Sequence, residues 1–330
     1  MLCLGIESTA HTFGVGIVAL KKGKCVVLAN EKDLFRTEKG GFIPAEVAKH
    51  HVEVCDVILK RALEKANVNM RDIDLISYSQ SPGIGTTLEV GCNVAKSIAL
   101  IFRKPLVGVN HCIAHLEIGR ALCKAKDPVL LYASGANTQV IAYEGKKYRI
   151  FGETLDGGIG NYLDKFAREI GLGFPGGPKI EQLALQGKKF ISLPYSVKGM
   201  DVSFGGIFTN LKQKYDTKKF TTEDLCFSLQ ETVFAMLIEV AERAMAHTGK
   251  KELLLGGGVA CNKRLQEMAT LMCKERGAKA YWPEQQFLVD NGAMIAWLGI
   301  LSFKAGNRLE IKDADTNPYL RTDQIIVNWR

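Results

Sequence analysis

Short apolar runs, alternating with polar turns, recur twice along the chain. Leu2 to Ile6 and Gly14 to Leu20 read as two strands around the polar turn Glu7-Ser8-Thr9-Ala10-His11-Thr12. Lys24 to Ala29 reads as a third, after a Lys22-Gly23 turn. The pattern returns as strand Val129 to Tyr132, turn Ser134 to Thr138, strand Gln139 to Tyr143, a turn at Gly145 and strand Tyr148 to Gly152. Ser134 and Thr138 repeat Ser8 and Thr12 at one common offset of 126 residues, which marks an internal duplication.

The second part of each unit repeats as well. Asp74 to Tyr78 predicts a strand, Ser81-Pro82-Gly83-Ile84-Gly85 a small-residue turn, Thr86 to Phe102 an amphipathic helix and Leu106 to Val109 a further strand. In the other half these become Glu252 to Leu255, Gly256-Gly257-Gly258, Asn262 to Glu275 and Ala278 to Trp282. Each half closes with a helix, one starting at His111 behind a natural N-cap, Asn110, the other near Asp290-Asn291-Gly292. The duplication therefore predicts that Asp290 takes the place in the second half that His111 takes in the first. The first half also carries a helix, Pro44 to Ala66, whose adjacent His50 and His51 face different sides and read as structural. The second carries an insertion, 154–248, expected to be mostly helical (Tyr162 to Ile170, Thr222 to His247) and broken by Gly171 to Pro178. Leu320 to Trp329 is expected as an edge strand or a tail. The domain reading is an N-terminal lobe over 1–125, to which a tail over 310–330 is expected to return, and a C-terminal lobe over 126–330.

Composition narrows the class. A chain of 330 residues, 47% hydrophobic and 24% charged, has the balance of a globular protein of about two domains. No uncharged apolar run reaches the ~20 residues of a membrane span. The start Met1-Leu-Cys-Leu-Gly-Ile-Glu7 has neither a secretory nor a transit pattern. Nine cysteines without Cys-x-x-Cys spacing read as free thiols in a reducing, intracellular setting. A net charge of +8 only leans toward nucleic acid, and the cluster Lys212, Lys214, Lys218, Lys219 reads as a solvated loop.

The chemistry sits where the halves meet. His111 and His115 are four apart, so their imidazoles stack on one helix face, an arrangement that can hold one metal ion. The pseudo-two-fold sets Asp290 opposite them, and Tyr132 ends the first strand of the second half. Two imidazoles, a carboxylate and a phenol form a mixed N/O set for zinc or iron with positions left open for a ligand. A metallopeptidase is excluded: the glutamate that serves as base beside the first histidine is here Cys112. Turns Ser8-Thr9-Ala10, Ser134-Gly135-Ala136 and Gly256-Gly257-Gly258 are candidates for aiming backbone N–H groups at phosphates in a cleft between lobes.

These residues fall into seven ordered motifs: Gly108-Val-Asn-His-Cys-Ile-Ala-His115, Tyr132-Ala-Ser-Gly-Ala-Asn-Thr-Gln139, Gly152-Glu-Thr-Leu-Asp156, Gly160-Asn-Tyr-Leu-Asp-Lys-Phe-Ala-Arg168, Lys198-Gly-Met-Asp-Val-Ser-Phe204, Gly257-Gly-Val-Ala-Cys-Asn262 and Asp290-Asn-Gly-Ala-Met-Ile-Ala296. Nearly end to end, the chain resembles the tRNA N(6)-adenosine threonylcarbamoyltransferases, once labelled O-sialoglycoprotein endopeptidases. Lys198-Gly-Met-Asp201 and Arg321-Thr-Asp-Gln324 resemble the KEOPS catalytic subunit of the archaeal and eukaryotic branch, especially its eukaryotic members, and the kinase domain fused to some archaeal members is expected to be absent.

The resemblance implies a duplicated α/β fold of the actin, sugar-kinase and heat-shock ATPase type (ASKHA, ribonuclease H-like). It implies one divalent metal, zinc or iron, on His111, His115, Tyr132 and Asp290. Of these, His111, His115 and Asp290 would be catalytic. It implies nucleotide contacts at Tyr132, Ala133, Ser134, Gly135, Ala136, Asp164, Gly177, Glu181 and Asn262. The implied donor is threonylcarbamoyl-AMP, and ATP-type nucleotides are expected to fit the same site. The implied partners are tRNA and KEOPS subunits, including a small atypical protein kinase and a small dimerising subunit, in cytoplasm and nucleus. Three departures stand out: Ala136 where the family usually has glycine, Gly205 where it has serine, and Ser81 where Gly-Pro-Gly is usual. Two rivals remain distinct in chemistry. A small-molecule kinase on the same fold needs a carboxylate base and has no use for the histidine pair. A nucleotide-gated scaffold would bind ATP yet tolerate loss of His111.

Overall fold

The computed structural model describes residues 1–37 and 43–330. The first half runs β1 (Leu2–Glu7), β2 (Thr12–Lys21), β3 (Lys24–Leu34), α1 (Pro44–Ala66), β4 (Leu75–Ser81), α2 (Gly85–Phe102), β5 (Leu106–Asn110) and α3 (His111–Cys123). The second opens with β6 (Val129–Ala133), β7 (Thr138–Glu144) and β8 (Lys147–Glu153). Its insertion holds α4 (Ile159–Glu169), α5 (Gly176–Ala184), the short pair β9 (Val197–Lys198) and β10 (Asp201–Val202), α6 (Gly205–Asp216) and α7 (Thr222–Thr248). It closes with β11 (Glu252–Gly256), α8 (Lys263–Glu275), β12 (Lys279–Tyr281), α9 (Gln285–Leu288) and α10 (Gly292–Lys304). The sheet orders are β3-β2-β1-β4-β5 and β12-β11-β6-β7-β8, so the two sheets match strand for strand when β1 is set on β6 and β4 on β11. In both, the first three strands pair antiparallel and the inner crossover pairs are parallel. The duplication legible in the strand–turn pattern is the organising feature of the fold.

Local chemistry sets the helix ends. Pro44 starts α1, where its missing N–H costs nothing, and Asn67, Arg103 and Lys124 stop α1, α2 and α3 in the left-handed region. Asn110 and Asn291 cap α3 and α10 alike. Asn110 Oδ1 accepts from Ile113 N at 3.1 Å, and Asn291 Oδ1 accepts from Met294 N at 3.0 Å. This pairing corrects the expected equivalence. The counterpart of His111 is Gly292, and Asp290 stands two residues earlier, before its cap rather than inside the helix. The expected break over Gly171 to Pro178 is also shorter, because Gly176, Gly177 and Pro178 already belong to α5. Leu320 to Trp329 forms no strand among the described residues and holds only a single 3-10 turn, Thr322–Gln324.

The closing helices cross between the sheets. α10, from the second half, lies on the first sheet: a Cβ built on Gly5 would stand 2.2 Å from Ala296 N, and one on Gly16 2.1 Å from Ala293 N. α3, from the first half, packs on β11, where a Cβ on Gly119 would meet Leu254 Cδ2 at 3.0 Å. Cys112, Ile113 and Leu116 share one apolar cluster with Leu130, Leu254, Ala293 and Trp297, so the two lobes are joined through a common core. The segment after α10 runs back along the first sheet. There Leu309 bridges Leu106, and the hydroxyl of Tyr78 donates to the Asp315 carbonyl at 2.8 Å. All nine cysteines are free thiols. Among the described residues no helix is long and apolar enough to cross a membrane.

Candidate metal and nucleotide site

The crossing of α3 and α10 puts the first turn of one against the approach to the other. His111 and His115 present ring centroids 4.8 Å apart, and Asp290 Oδ1 stands 3.5 Å from Nε2 of each. Ligand atoms of the three residues lie within 4.8 Å of one another. The Tyr132 hydroxyl is 3.1 Å from His111 Nε2. Both histidines and Tyr132 are buried; Asp290 is partly exposed at the cleft.

A buried carboxylate outside this set fixes the histidine orientation. Glu7, fully buried at the end of β1, accepts from His111 Nδ1 at 2.9 Å with Oε2, while Oε1 accepts from Thr9 N at 2.7 Å and from the Thr9 hydroxyl. With one proton held at Nδ1, His111 turns Nε2 toward Tyr132 and Asp290, and Nε2 becomes a donor to a metal once its own proton leaves. Burial opposes the charged imidazole, yet Glu7 and then Asp290 hold the His111 pKa up to about 9. Burial lowers that of His115, and the charge of His111 adds to the effect. Burial alone would raise the Asp290 pKa, but the two imidazoles hold it well below the usual carboxylate range. Burial pushes the Tyr132 phenol well up.

Neither ring nitrogen of His115 has a hydrogen-bond partner among the described residues, although the residue is 3% exposed. An orphaned buried imidazole is costly unless something else takes its lone pair. Two imidazoles, a carboxylate held in its anionic form and a nearby phenol oxygen are the donor types of a divalent N/O site. The residues present fit such an ion.

The remaining expected contacts form a second group beside the first. Ala133 ends β6. In the turn that follows, Ser134 N donates to the Asn137 carbonyl at 2.8 Å and Asn137 N to Ser134 Oγ at 3.1 Å. Gly135 and Ala136 are exposed, and their N–H groups have no hydrogen-bond partner among the described residues. The start of α4 backs this turn so closely that a Cβ on Gly158 would stand 2.3 Å from the Gly135 carbonyl. Asp164 Oδ1 accepts from Gly176 N at 2.7 Å, and burial raises its pKa. Around Gly177 a Cβ would meet nothing within 4 Å, which leaves open space at the start of α5. Glu181 Oε1 accepts from Lys263 N at 2.7 Å, tying α5 to the N-terminus of α8. Asn262 caps α8 through Oδ1, to Arg264 N at 2.9 Å and Leu265 N at 3.3 Å, and Nδ2 donates to Gln230 Oε1 at 2.9 Å.

One of the three expected phosphate turns differs. In Ser8-Thr9-Ala10, Ser8 N donates to Ser79 Oγ at 3.0 Å and Thr9 N to Glu7, so those N–H groups are spent inside the lobe. Gly257, at φ +87°, serves close packing: a Cβ there would stand 2.3 Å from the Ala133 carbonyl. Ser81 supports the helix cap, since its Oγ accepts from Asn110 Nδ2 at 3.2 Å. The sequence reading left out Glu7, Gln230 and Lys32, whose Nζ donates to the Asp290 carbonyl at 3.2 Å. A carboxylate closing an otherwise apolar strand was a signal for Glu7; nothing local marks Lys32.

This architecture defines the class. Two duplicated lobes around a cleft, with the site at the strand ends, make this a protein of the actin-like ATPase fold. The crystal structure of Thermococcus kodakarensis HypF aligns at a TM-score of 0.61 and 15% identity, over 95% of this chain and 49% of that one. Component A of the Acidaminococcus fermentans (R)-2-hydroxyglutaryl-CoA dehydratase aligns at 0.57 and 15% identity, over 93% of this chain and 100% of that one. At such identities the likeness is one of fold alone.

The chain belongs to the tRNA N6-adenosine threonylcarbamoyltransferase (TsaD) family, whose model matches residues 26–297. It is 54% identical over 329 residues to the Thermococcus kodakarensis tRNA N6-adenosine threonylcarbamoyltransferase, covering 100% of both chains, and 55% identical to that of Thermococcus sibiricus over the same span. A Methanocaldococcus jannaschii protein named a probable bifunctional tRNA threonylcarbamoyladenosine biosynthesis protein is 50% identical over 100% of this chain and 60% of its own length. The chain is an enzyme of that class, as the motif resemblance implied.

Proposed function

We propose that this chain transfers the threonylcarbamoyl group of threonylcarbamoyl-AMP to N6 of the adenosine 3′ of the anticodon in tRNAs reading ANN codons, as the catalytic subunit of a KEOPS complex. The observation that carries the reading is buried His115, neither of whose ring nitrogens makes a hydrogen bond among the described residues while Nε2 faces Asp290 Oδ1 at 3.5 Å, in a chain of this family. His111, His115, Asp290 and the Tyr132 oxygen would hold a divalent ion. When bound, that ion supplies Lewis-acid polarisation and orients the donor's acyl end.

The other steps fall to the chain's own residues. The N–H groups of Gly135 and Ala136, exposed and without a partner among the described residues, would receive the phosphate of the adenylate. Asp164 bonds the start of α5, and Glu181 and Asn262 meet at the start of α8; the adenosine end would lie beside them and the uncrowded Gly177, and ATP-type nucleotides would use the same place. Glu7 holds His111 in one tautomer, so the site is organised before substrate arrives. Transfer forms a bond from N6 to the carbamoyl carbon as the bond from that carbon to the phosphate oxygen breaks; N6 gives up one proton to solvent, and AMP departs. A mixed anhydride is already activated, so holding the two reactants in line contributes more than a strong base would. The Ala136 methyl, in place of glycine, stands on the exposed phosphate turn and narrows the approach there. The M. jannaschii relative extends well beyond the matched part. That extra length supports one further component working beside the catalytic chain, here read as the kinase; the dimerising subunit rests on the family resemblance alone.

The test is a transfer assay on tRNA with threonylcarbamoyl-AMP, together with metal analysis of the wild type, His111→Ala and Asp290→Ala. Both variants are expected to stay folded, lose the ion and lose transfer. Full transfer by metal-free protein would overturn the assignment, and phosphate transfer to small acceptors would favour the kinase rival.

A further inference from the structure

Tyr319 is 89% exposed, the most exposed of the large hydrophobic side chains among the described residues. Its backbone, by contrast, is firmly fastened. Leu320 N donates to the Asn317 carbonyl at 3.2 Å and Tyr319 N to Asn317 Oδ1 at 3.3 Å, which closes a tight turn. That turn is tied to the ends of two strands of the first sheet. Asn317 N donates to the Gln80 carbonyl at 2.9 Å, Gly83 N to the Pro318 carbonyl at 3.2 Å, and Asn110 Nδ2 to the Leu320 carbonyl at 3.4 Å. Two residues on, Arg321 Nη2 reaches both carboxylate oxygens of Glu153, at 3.0 and 3.2 Å, at the end of β8 in the other lobe. The exposed ring is thus carried on a backbone fixed beside Asn110, the cap of the helix that begins with His111.

The position has a direction. In the second sheet β8 and β11 lie on opposite sides of β6. The Tyr319 turn, linked through Arg321 to the end of β8, and the Asn262–Glu181 group, which follows β11, thus attach on opposite sides of β6, the strand that carries Tyr132. If the adenosine end of the donor lies on the β11 side, the β8 side beyond the phosphate turn is left for the acceptor. An adenosine beside the anticodon sits in a single-stranded loop, and reaching its N6 takes it out of its stack. An uncovered aromatic ring at that entrance replaces the lost stacking, and such contacts tolerate any base because every base has a π face.

We propose that Tyr319 is the platform on which an unpaired base next to the target adenosine stacks when tRNA docks. The inference rests on the acceptor reading given above. The test uses the full chain with the subunits proposed there and an anticodon stem–loop carrying 2-aminopurine on either side of the target adenosine. Wild type should quench the probe at one of the two positions, and Tyr319→Ala should abolish that quench. Tyr319→Ala should also raise the KM for tRNA by about tenfold while metal content, nucleotide affinity and kcat stay at wild-type values, and Tyr319→Phe and Tyr319→Trp should restore it. An active complex in which Tyr319→Ala leaves both the quench and the KM unchanged would overturn the platform. A wild-type complex that transfers nothing to tRNA would overturn the acceptor reading instead.

Discussion

Gly16 and Gly292 stand face to face across the lobes, and neither has room for a methyl group. A Cβ on Gly16 would lie 2.1 Å from Ala293 N, and one on Gly292 would lie 2.1 Å from Gly16 N. The contact is backbone against backbone, so no side chain can swing aside. It seats the N-terminus of α10 on β2, and Asp290 is only two residues from that seat. Gly16→Ala is therefore expected to push α10 off the sheet and carry Asp290 away from the histidines. Overpacking of this kind costs about 1–3 kcal/mol, visible as a lower urea midpoint. The metal affinity should fall although no candidate ligand is altered. Unchanged metal affinity in the folded variant would show that the seat does not position Asp290.

Glu7 makes a separate demand on the same site. Its carboxylate holds His111 Nδ1 and the Thr9 hydroxyl and N–H together, so Glu7→Ala removes the partner that sets the imidazole's tautomer. Loss of such an outer partner weakens metal affinity by about 10–100-fold. Glu7→Gln keeps the shape but has a neutral oxygen facing Nδ1, and should give an intermediate loss. Calorimetric titration of zinc into the metal-free variants measures both, and equal affinities for wild type and Glu7→Ala would remove Glu7 from the site.

The extent to which the sequence disclosed this arrangement follows from the range of the interactions involved. Strand–turn–strand spacing is local, so the duplication, the His111–His115 pair and the Asn110 cap were legible directly. That Asp290 faces the histidines followed from symmetry, but its register did not. The helix start is set by Asn291 and by the contact of Gly292 with Gly16, which lies 276 positions earlier in the chain. The inward turn of the Ser8 N–H group was hidden for the same reason, because Ser79 comes from another strand, whereas the Thr9 N–H group is taken by Glu7 only two residues away. Gln230 and Lys32 act through one long-range hydrogen bond each, and neither belongs to a local pattern.

The histidine pair also fixes a pH dependence of the metal-free protein. His111 has a folded pKa raised from 6.5 to about 9. Its contribution to stability is therefore fully present below pH 6.5 and is lost as pH rises through 9. His115 is shifted the other way and acts below its ordinary 6.5, while Asp290 acts in the acid range below its ordinary 3.8. Buried thiols shifted upward, such as Cys112, begin to count only near 9, their ordinary value. Urea unfolding of metal-free protein between pH 6.5 and 8.5 should thus show stability falling with pH, with a flatter profile in Glu7→Gln. A wild-type profile that rises over this window would contradict the Glu7–His111 pairing.

The nucleotide side should separate cleanly from the metal side. Asn262 spends Oδ1 on the cap of α8 and one Nδ2 hydrogen on Gln230, which leaves a single N–H for a ligand and fixes where it points. Gln230→Leu removes the acceptor, leaving one Nδ2 hydrogen unpaired and the amide held only by its cap bonds, so affinity for an adenosine nucleotide should fall while metal content is unchanged. Gln230→Glu still offers an acceptor at that place and should recover most of the loss. Glu181→Ala should weaken the same nucleotide, though part of its effect is structural, because Glu181 Oε1 also receives Lys263 N at the start of α8. A modest drop in the unfolding midpoint, of the ~0.5–2 kcal/mol expected for losing a carboxylate at a helix N-terminus, would measure that part. Calorimetry with AMP on the metal-loaded protein distinguishes the roles. If Gln230→Leu binds AMP as wild type does, Asn262 is a helix cap and not a nucleotide contact, and the adenosine end of the donor must be sought elsewhere in the cleft.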